Sequence, residues 1–147
     1  MKIRRTSIRS DRGAALVEMA LTLPLLLLVT VGIVEFGHAY QTWQVLTNAA
    51  REGARVAVLP NTDDDAVEGR VIDYLEAGAL SAPETADISI TRNNVISIGT
   101  GTATASSVQV DYPFQFMVLQ PIAQLVVSGS TVGAPVMMSA TATMRNE

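Results

Sequence analysis

The sequence has no cysteine and a single histidine, His38. Without cysteine the chain can form no disulfide, no thiolate metal site and no thiol nucleophile. One histidine excludes a metal cage built from several histidines and leaves little for general-base chemistry. Charged residues make up 16% of the chain, against about 25% in ordinary soluble domains. The chain is therefore poor in both reactive and charged side chains.

Catalytic motifs are also missing. The sequence shows no serine–histidine–acid set, and the segment GTGTA lacks the lysine of a phosphate-binding P-loop. The acidic run Asp63-Asp64-Asp65 lacks the glycine and the spaced oxygen ligands of a calcium loop. We therefore expect a protein that is not an enzyme and that has no metal and no cofactor.

Basic residues are concentrated at the start of the chain. Five of the ten lie in the first twelve positions, whereas the residues after Gly13 include five arginines and thirteen acids. An acidic body of this kind repels a phosphate backbone, so nucleic acid is not an expected partner.

The segment 14–34, AALVEMALTLPLLLLVTVGIV, contains 21 residues with one charge, Glu18. As a helix rising 1.5 Å per residue it spans about 30 Å, the thickness of the hydrocarbon core of a bilayer. Pro24 is expected to kink this span. The basic residues before it favour a cytoplasmic N-terminus. The sequence thus predicts a basic cytoplasmic leader at 1–13, a transmembrane helix at 14–34 and an extracytoplasmic domain at 35–147.

Two kinds of processing fit the start of the chain. Cleavage of a secretory signal near Gly37-His38-Ala39 is one, although the uncharged run is longer than the usual apolar region of such signals. The other is the arrangement of type IV prepilin leaders, with a basic segment, Gly13, a cut before Ala14, and Glu18 in the apolar helix. A carboxylate within a bilayer costs about 2.5 kcal/mol or more unless it is paired. Glu18 either pairs with the new amine of Ala14 or reaches the lipid headgroups.

The helical pattern continues beyond the membrane to about Leu59. Apolar or small residues recur in a stripe at helical spacing: Phe36, Tyr40, Trp43, Ala50, Ala54 and Ala57. A second line of small residues, Ala49, Gly53 and Ala57, permits close approach of a sheet or another helix. Glu52 and Arg55 form an i, i+3 pair that we expect on a solvated face.

A smaller helix and several strands are expected after Pro60. Thr62 and Asp65 resemble a capping box for a helix at about 63–77, which Gly78 would end. Alternating residues predict a hairpin of strands at 88–91 and 95–98, turning at Asn93-Asn94, and then a flexible loop, GTGTATASS. Two further strands are expected at 108–112, ended by Pro113, and from Val136 onward. The apolar segment within 114–134 is a loop or short helix, with core packing favoured over an exposed partner surface.

These elements predict an α+β fold, in which the second half of the long helix packs on a small antiparallel sheet with one extra helix.

Residues 12–58 resemble the TadE-like family of pilin-like proteins of tight-adherence (Tad) pilus systems. The motifs that carry the resemblance are Arg12-Gly13-Ala14-Ala15-Leu16-Val17-Glu18, Leu23-Pro24, Glu35-Phe36-Gly37 and the segment Leu46-Thr47-Asn48-Ala49-Ala50-Arg51-Glu52-Gly53-Ala54-Arg55. Tyr112-Pro113-Phe114 and the closing segment 142–147 are also similar to the family.

The resemblance implies a structural protein, a minor pilin or pseudopilin that takes part in assembling a Tad pilus. Its expected partners are other pilin-like subunits, the Tad membrane assembly proteins, a prepilin peptidase and the lipid bilayer. Gly13, Ala14 and Glu18 would direct processing, and Pro24, Ala49, Gly53 and Ala57 would serve helix packing or assembly. The alternative is an uncleaved, membrane-anchored accessory or binding protein of the pilus or secretion machinery. Either way the resemblance implies the inner membrane, with the domain in the periplasm or outside the cell.

Overall fold

The computed structural model describes residues 8–126 and 128–146. Most of the predicted leader, residues 1–7, lies outside them. The elements are three helices, a short 3₁₀ turn and three strands, in the order α1 (Ile8–Ala57), α2 (Asp64–Ala77), the turn (Pro83–Thr85), β1 (Asp87–Ile98), β2 (Gly101–Phe114), α3 (Leu119–Val126) and β3 (Val136–Arg145).

Helix α1 is the framework of the molecule. It is one continuous helix of 50 residues that runs through Pro24. It is already helical at Ile8, the first described residue, and not only from the predicted Ala14, and it ends at Ala57 rather than Leu59. The second half packs on an antiparallel sheet with strand order β1-β2-β3. The predicted α+β class, with a long N-terminal helix on a small antiparallel sheet, is confirmed.

The core lies between α1, α2 and one face of the central strand β2. Side chains from these three elements are fully buried, among them Leu46, Ala50, Val67, Leu75, Val108 and Val110. Strand β2 runs antiparallel to α1, because His38 contacts Phe114 at one end and Gly53 lies beside Val108 further along. The helix rises about 22 Å between residues 38 and 53, and the strand covers about 20 Å between residues 114 and 108. The two elements therefore keep in register along the whole core.

Helix α2 starts one residue later than predicted. The cap is Asp63, not Thr62, and its side chain accepts the backbone N–H of Ala66 at 3.0 Å. Asp64 and Asp65 follow in the first turn, where negative charge complements the helix dipole. The predicted apolar stripe, Val67, Val71 and Leu75, is buried.

Gly78 ends α2 as predicted, but for a different reason. Its φ is −78°, which any residue can adopt, and the positive φ of 57° belongs to Ala79. A Cβ at Gly78 would lie 2.4 Å from Cγ1 of Val45 on α1. The glycine therefore permits close contact between the end of α2 and α1.

The predicted strand boundaries were wrong in three places. Strand β1 is a single strand with a register shift between Thr91 and Asn94, so the positive φ of Asn93 (56°) forms a bulge and not a hairpin turn. The turn lies at Gly99, with φ of 60°, and the rest of GTGTATASS from Gly101 onward belongs to β2 rather than to a loop. Asparagine at positive φ suits a bulge as well as a turn, and the sequence alone did not distinguish them.

Pro113 does not end β2, which was the third error. Pairing with β1 stops at Asp111, whereas pairing with β3 continues through Pro113↔Met137 and Phe114↔Val136. Pro113 is tolerated because β2 has no neighbouring strand on its β1 side at this position, so no hydrogen bond across that side requires a backbone N–H from residue 113.

The segment 114–134 contains α3, a short helix. Phe114 is buried, but Met117 is 67% exposed, and Val118 and Ile122 are each 41% exposed. The preference for core packing was wrong for these three side chains.

Candidate functional site

The first half of α1 lies outside the folded domain. From Gly13 to Thr30 every side chain is exposed, and the residues from Val31 to Val34 are exposed or half-buried. Among the residues that the structure describes, α1 is the one helix long and apolar enough to cross a membrane, and none of its most apolar stretch is buried. An apolar surface this large is unfavourable in contact with water. It indicates a segment that is covered by lipid or by other apolar helices.

The residues predicted to direct processing are exposed on this half. Gly13, Ala14 and Glu18 all lie within α1, so the Gly13–Ala14 peptide bond is helical in the uncut chain. All three residues are exposed, and none of them is part of the core of the folded domain.

The two threonine hydroxyls within the apolar half are satisfied locally. Thr30 donates its hydroxyl to the carbonyl of Leu26 at 2.8 Å. Thr22 donates to the carbonyl of Met19 at 3.4 Å, next to Pro24, which has no N–H to give. Internal bonding of this kind suits a helix in lipid, where no water can replace it.

The small residues Ala49, Gly53 and Ala57 are buried within the chain, against α2 and the sheet. A Cβ at Gly53 would lie 2.6 Å from Cγ2 of Val71 and 3.2 Å from Cγ1 of Val108. The close approach predicted from their spacing is therefore made to this chain's own α2 and β2.

The first three residues of the apolar stripe on α1 lie off its buried face. Phe36, Tyr40 and Trp43 are exposed by 68%, 61% and 47%, and the buried face is formed instead by Glu35, Thr42, Leu46, Ala49 and Ala50. The buried face of α1 is therefore not the face with the largest apolar side chains. It is the face whose small residues allow the sheet to approach the helix. Tyr40 and Trp43 lie side by side, with ring centroids 6.2 Å apart, and both are residue types enriched at membrane–water interfaces.

Glu35 appears in the sequence analysis only as part of a family motif, and its structural role was not predicted. It directly follows the apolar run, yet it is 3% exposed. Its carboxylate accepts the backbone N–H of Met117 at 3.2 Å and that of Val118 at 2.5 Å. Glu35 thereby holds the start of α3 against α1. The available signal was its helical phase, since Glu35 shares a face with Thr42, Leu46 and Ala49.

A cleft of about 310 Å³ lies just beyond this junction. His38, Thr42, Tyr112 and the backbone after α2 line it. The ring of His38 is 5.3 Å from that of Phe114, and its Nδ1 is buried with no hydrogen-bond partner. The hydroxyl of Tyr112 donates to the carbonyl of Ser81. Burial raises the pKa of the Tyr112 phenol, and the carboxylate of Glu84 raises it further.

Charged side chains connect the elements at the other end of the domain. Arg92 donates to Asp64 at 2.8 Å and to the carbonyl of Ala57, at the end of α1, at 2.9 Å. Glu52 accepts from Arg70 on α2 at 2.9 Å and lies only 3.9 Å from Arg55. The expectation that Glu52 belongs to a merely solvated face was wrong.

Two residues of the acidic run 63–65 stabilise the fold through hydrogen bonds. Asp63 caps α2 and Asp64 binds Arg92. In the described part of the chain, no three histidine or acidic side chains are grouped so as to hold a metal ion.

Fold and site together define a small α+β domain whose core helix extends, without a break, into an exposed helix of membrane-spanning length. Residues 13–55 match the family model described as TadE-like protein. The resemblance inferred from the motifs is thereby confirmed over this segment. The comparison with curated proteins gives no match, and neither does the comparison with solved structures.

Proposed function

We propose that the protein is a minor pilin-like subunit that takes part in assembling a Tad pilus, with a structural and not a catalytic role. The observation that carries this proposal is the continuity of α1, whose exposed apolar half leads directly into the core of the domain. A helix of this kind can move from lipid into a bundle of similar helices without any rearrangement of the domain. The TadE-like match covers both parts of it.

The proposed sequence of events begins with insertion into the inner membrane. The basic leader stays in the cytoplasm, and residues 35–147 lie in the periplasm or outside the cell. A prepilin peptidase hydrolyses the bond between Gly13 and Ala14, which leaves an ammonium group on Ala14. The apolar helix then leaves the bilayer for contacts with other pilin-like subunits and Tad assembly proteins.

Glu18 has a distinct role in this mechanism. While the helix is in lipid, its carboxylate can reach the headgroups. In a dry helical bundle an unpaired carboxylate is strongly unfavourable, so it requires a cation. The amine of Ala14, one helical turn away, can provide that cation in the same subunit or in a neighbour.

The test compares Glu18→Gln with Glu68→Gln, which changes an exposed carboxylate on α2. Glu52 is not a suitable control because it binds Arg70. We expect Glu18→Gln to be inserted and cleaved at normal levels but to abolish pilus assembly, and Glu68→Gln to assemble normally. The readouts are pilus counts by electron microscopy and immunoblots of the membrane fraction.

The second candidate is an uncleaved, membrane-anchored accessory protein of the same machinery. The helical backbone at Gly13–Ala14 favours it, because a peptidase requires a local unwinding there. Normal piliation with Glu18→Gln would support this candidate and reject the pilin-like mechanism.

A further inference from the structure

The connection between β2 and β3 has an unusual surface. From residue 112 to residue 144 the sequence contains no charged side chain. Several large apolar side chains here are exposed. We refer to them as the connection surface: Met117, Val118, Ile122, Val132, Val136 and Met137. Met137 is 62% exposed and Val132 is 56% exposed. Most of each side chain therefore lies outside the hydrophobic core.

The connection surface lies at the end of the domain nearest the apolar half of α1. Glu35, the residue after the predicted span, binds the N–H groups of Met117 and Val118. Strand β3 begins at the same end, because Val136 pairs with Phe114 and Phe114 contacts His38. The hydrogen bonds and the strand register therefore place both ends of the connection beside residues 35–38.

Depth follows from the helix geometry. If the hydrocarbon core ends near Val34, residues 35–38 rise only about 1.5 to 6 Å above it. The headgroup layer on each side of a bilayer is about 5 to 8 Å thick. The connection surface is therefore at the level of the headgroups while α1 spans the membrane. The opposite end of the domain, with Val95 in the hairpin, is a further 30 Å or so away along the sheet.

We propose that the connection surface binds the lipid of the same membrane, as an interfacial contact beside the transmembrane helix. This inference rests on the proposed anchoring of α1 in a bilayer. Uncharged, apolar side chains at headgroup depth are stabilised when they enter the boundary between headgroups and acyl chains. Two contacts, the span and the connection surface, fix the orientation of the domain on the bilayer. Removal of α1 from the membrane then also lifts the connection surface out of the lipid.

The absence of cysteine makes a direct test practicable. Four single-cysteine variants of the full chain are labelled with a nitroxide and reconstituted into phosphatidylcholine vesicles. Ile122→Cys and Met137→Cys report on the connection surface. Val95→Cys, at a 68% exposed site, is the control for water, and Leu27→Cys is the control for lipid. Electron paramagnetic resonance measures collisions of each label with oxygen, which concentrates in lipid, and with a water-soluble nickel chelate.

We expect the labels at 122 and 137 to favour oxygen over the nickel chelate, as the label at 27 does, and by at least several-fold relative to position 95. Labels at 122 and 137 that match position 95, with position 27 in lipid, would overturn this inference and leave the anchor intact. Labels shielded from both reagents and broadened by spin–spin coupling would assign the surface to a second copy of the chain, which also overturns it. A label at 27 that is accessible to the nickel chelate would reject the anchor itself.

Discussion

At the scale of single residues, the most informative side chain is Glu35. A carboxylate directly after an apolar run looks like a simple membrane boundary, but this one is buried and accepts two backbone N–H groups from residues more than eighty positions away. Those hydrogen bonds compensate the loss of hydration that burial imposes on a charge. Glu35 therefore connects the end of the apolar half of α1 to the start of α3.

The raised pKa of Tyr112 predicts that the folded domain loses stability at alkaline pH. The folded domain raises the pKa of the phenol above its ordinary value of 10.0, so it holds the proton more tightly than the unfolded chain does. The resulting stability is fully present below pH 10 or so and is lost as the pH rises through the folded pKa. The variant Tyr112→Phe lacks this dependence but also lacks the hydrogen bond to Ser81, which contributes about 1 kcal/mol.

The measurement is denaturant unfolding of the full chain in detergent micelles at pH values of about 8 and about 11. We expect the difference in stability between the natural chain and Tyr112→Phe to be larger at the lower pH. An equal difference at both pH values would show that the phenol has no raised pKa in the folded state.

At the scale of elements, packing around Gly53 sets the distance between α1, α2 and the sheet. An alanine in an exposed helix position is favoured over glycine by about 1 kcal/mol, but a Cβ at Gly53 would overlap two stiff valines. Overpacking of a core costs about 1 to 3 kcal/mol. We therefore expect Gly53→Ala to lower the free energy of unfolding by about 1 kcal/mol or more.

Gly69 provides the matched control. It lies in α2 with no atom within 4 Å of the position of a Cβ, so Gly69→Ala should raise the free energy of unfolding by up to about 1 kcal/mol. Denaturant melts of both variants decide the matter. If Gly53→Ala were as stable as Gly69→Ala, the packing of α1 on α2 would not require a glycine at position 53.

Helices were easier to predict from the sequence than strands. The apolar run, the Val67, Val71 and Leu75 stripe and the small residues around Gly53 each follow from local spacing. The long course of β1 does not, because Asn93 can form a turn or a bulge and only pairing with β2 selects between them. The same holds for Glu35 and Arg92, whose partners are distant in the sequence. Contacts of that range have no local signal.

At the scale of the whole molecule, one helix joins two environments. Its second half is covered by α2 and the sheet, while its first half has no cover within the described chain. The charges follow the same division, since half of the basic residues cluster before the span and most of the acids follow it. This polarity is what a subunit needs if it enters a membrane, keeps its N-terminus in the cytoplasm and later joins a helical assembly.

The central claim, that this helix is that of a processed pilin-like subunit, is tested most directly by sequencing the N-terminus of the protein isolated from membranes of cells with an active prepilin peptidase. The account predicts a mature chain that begins at Ala14. It also predicts that Gly13→Leu leaves the chain uncut, since glycine alone has no side chain to obstruct the peptidase at the cut. Recovery of an intact Met1, or of a chain that begins at Tyr40 after an ordinary secretory signal, would contradict it.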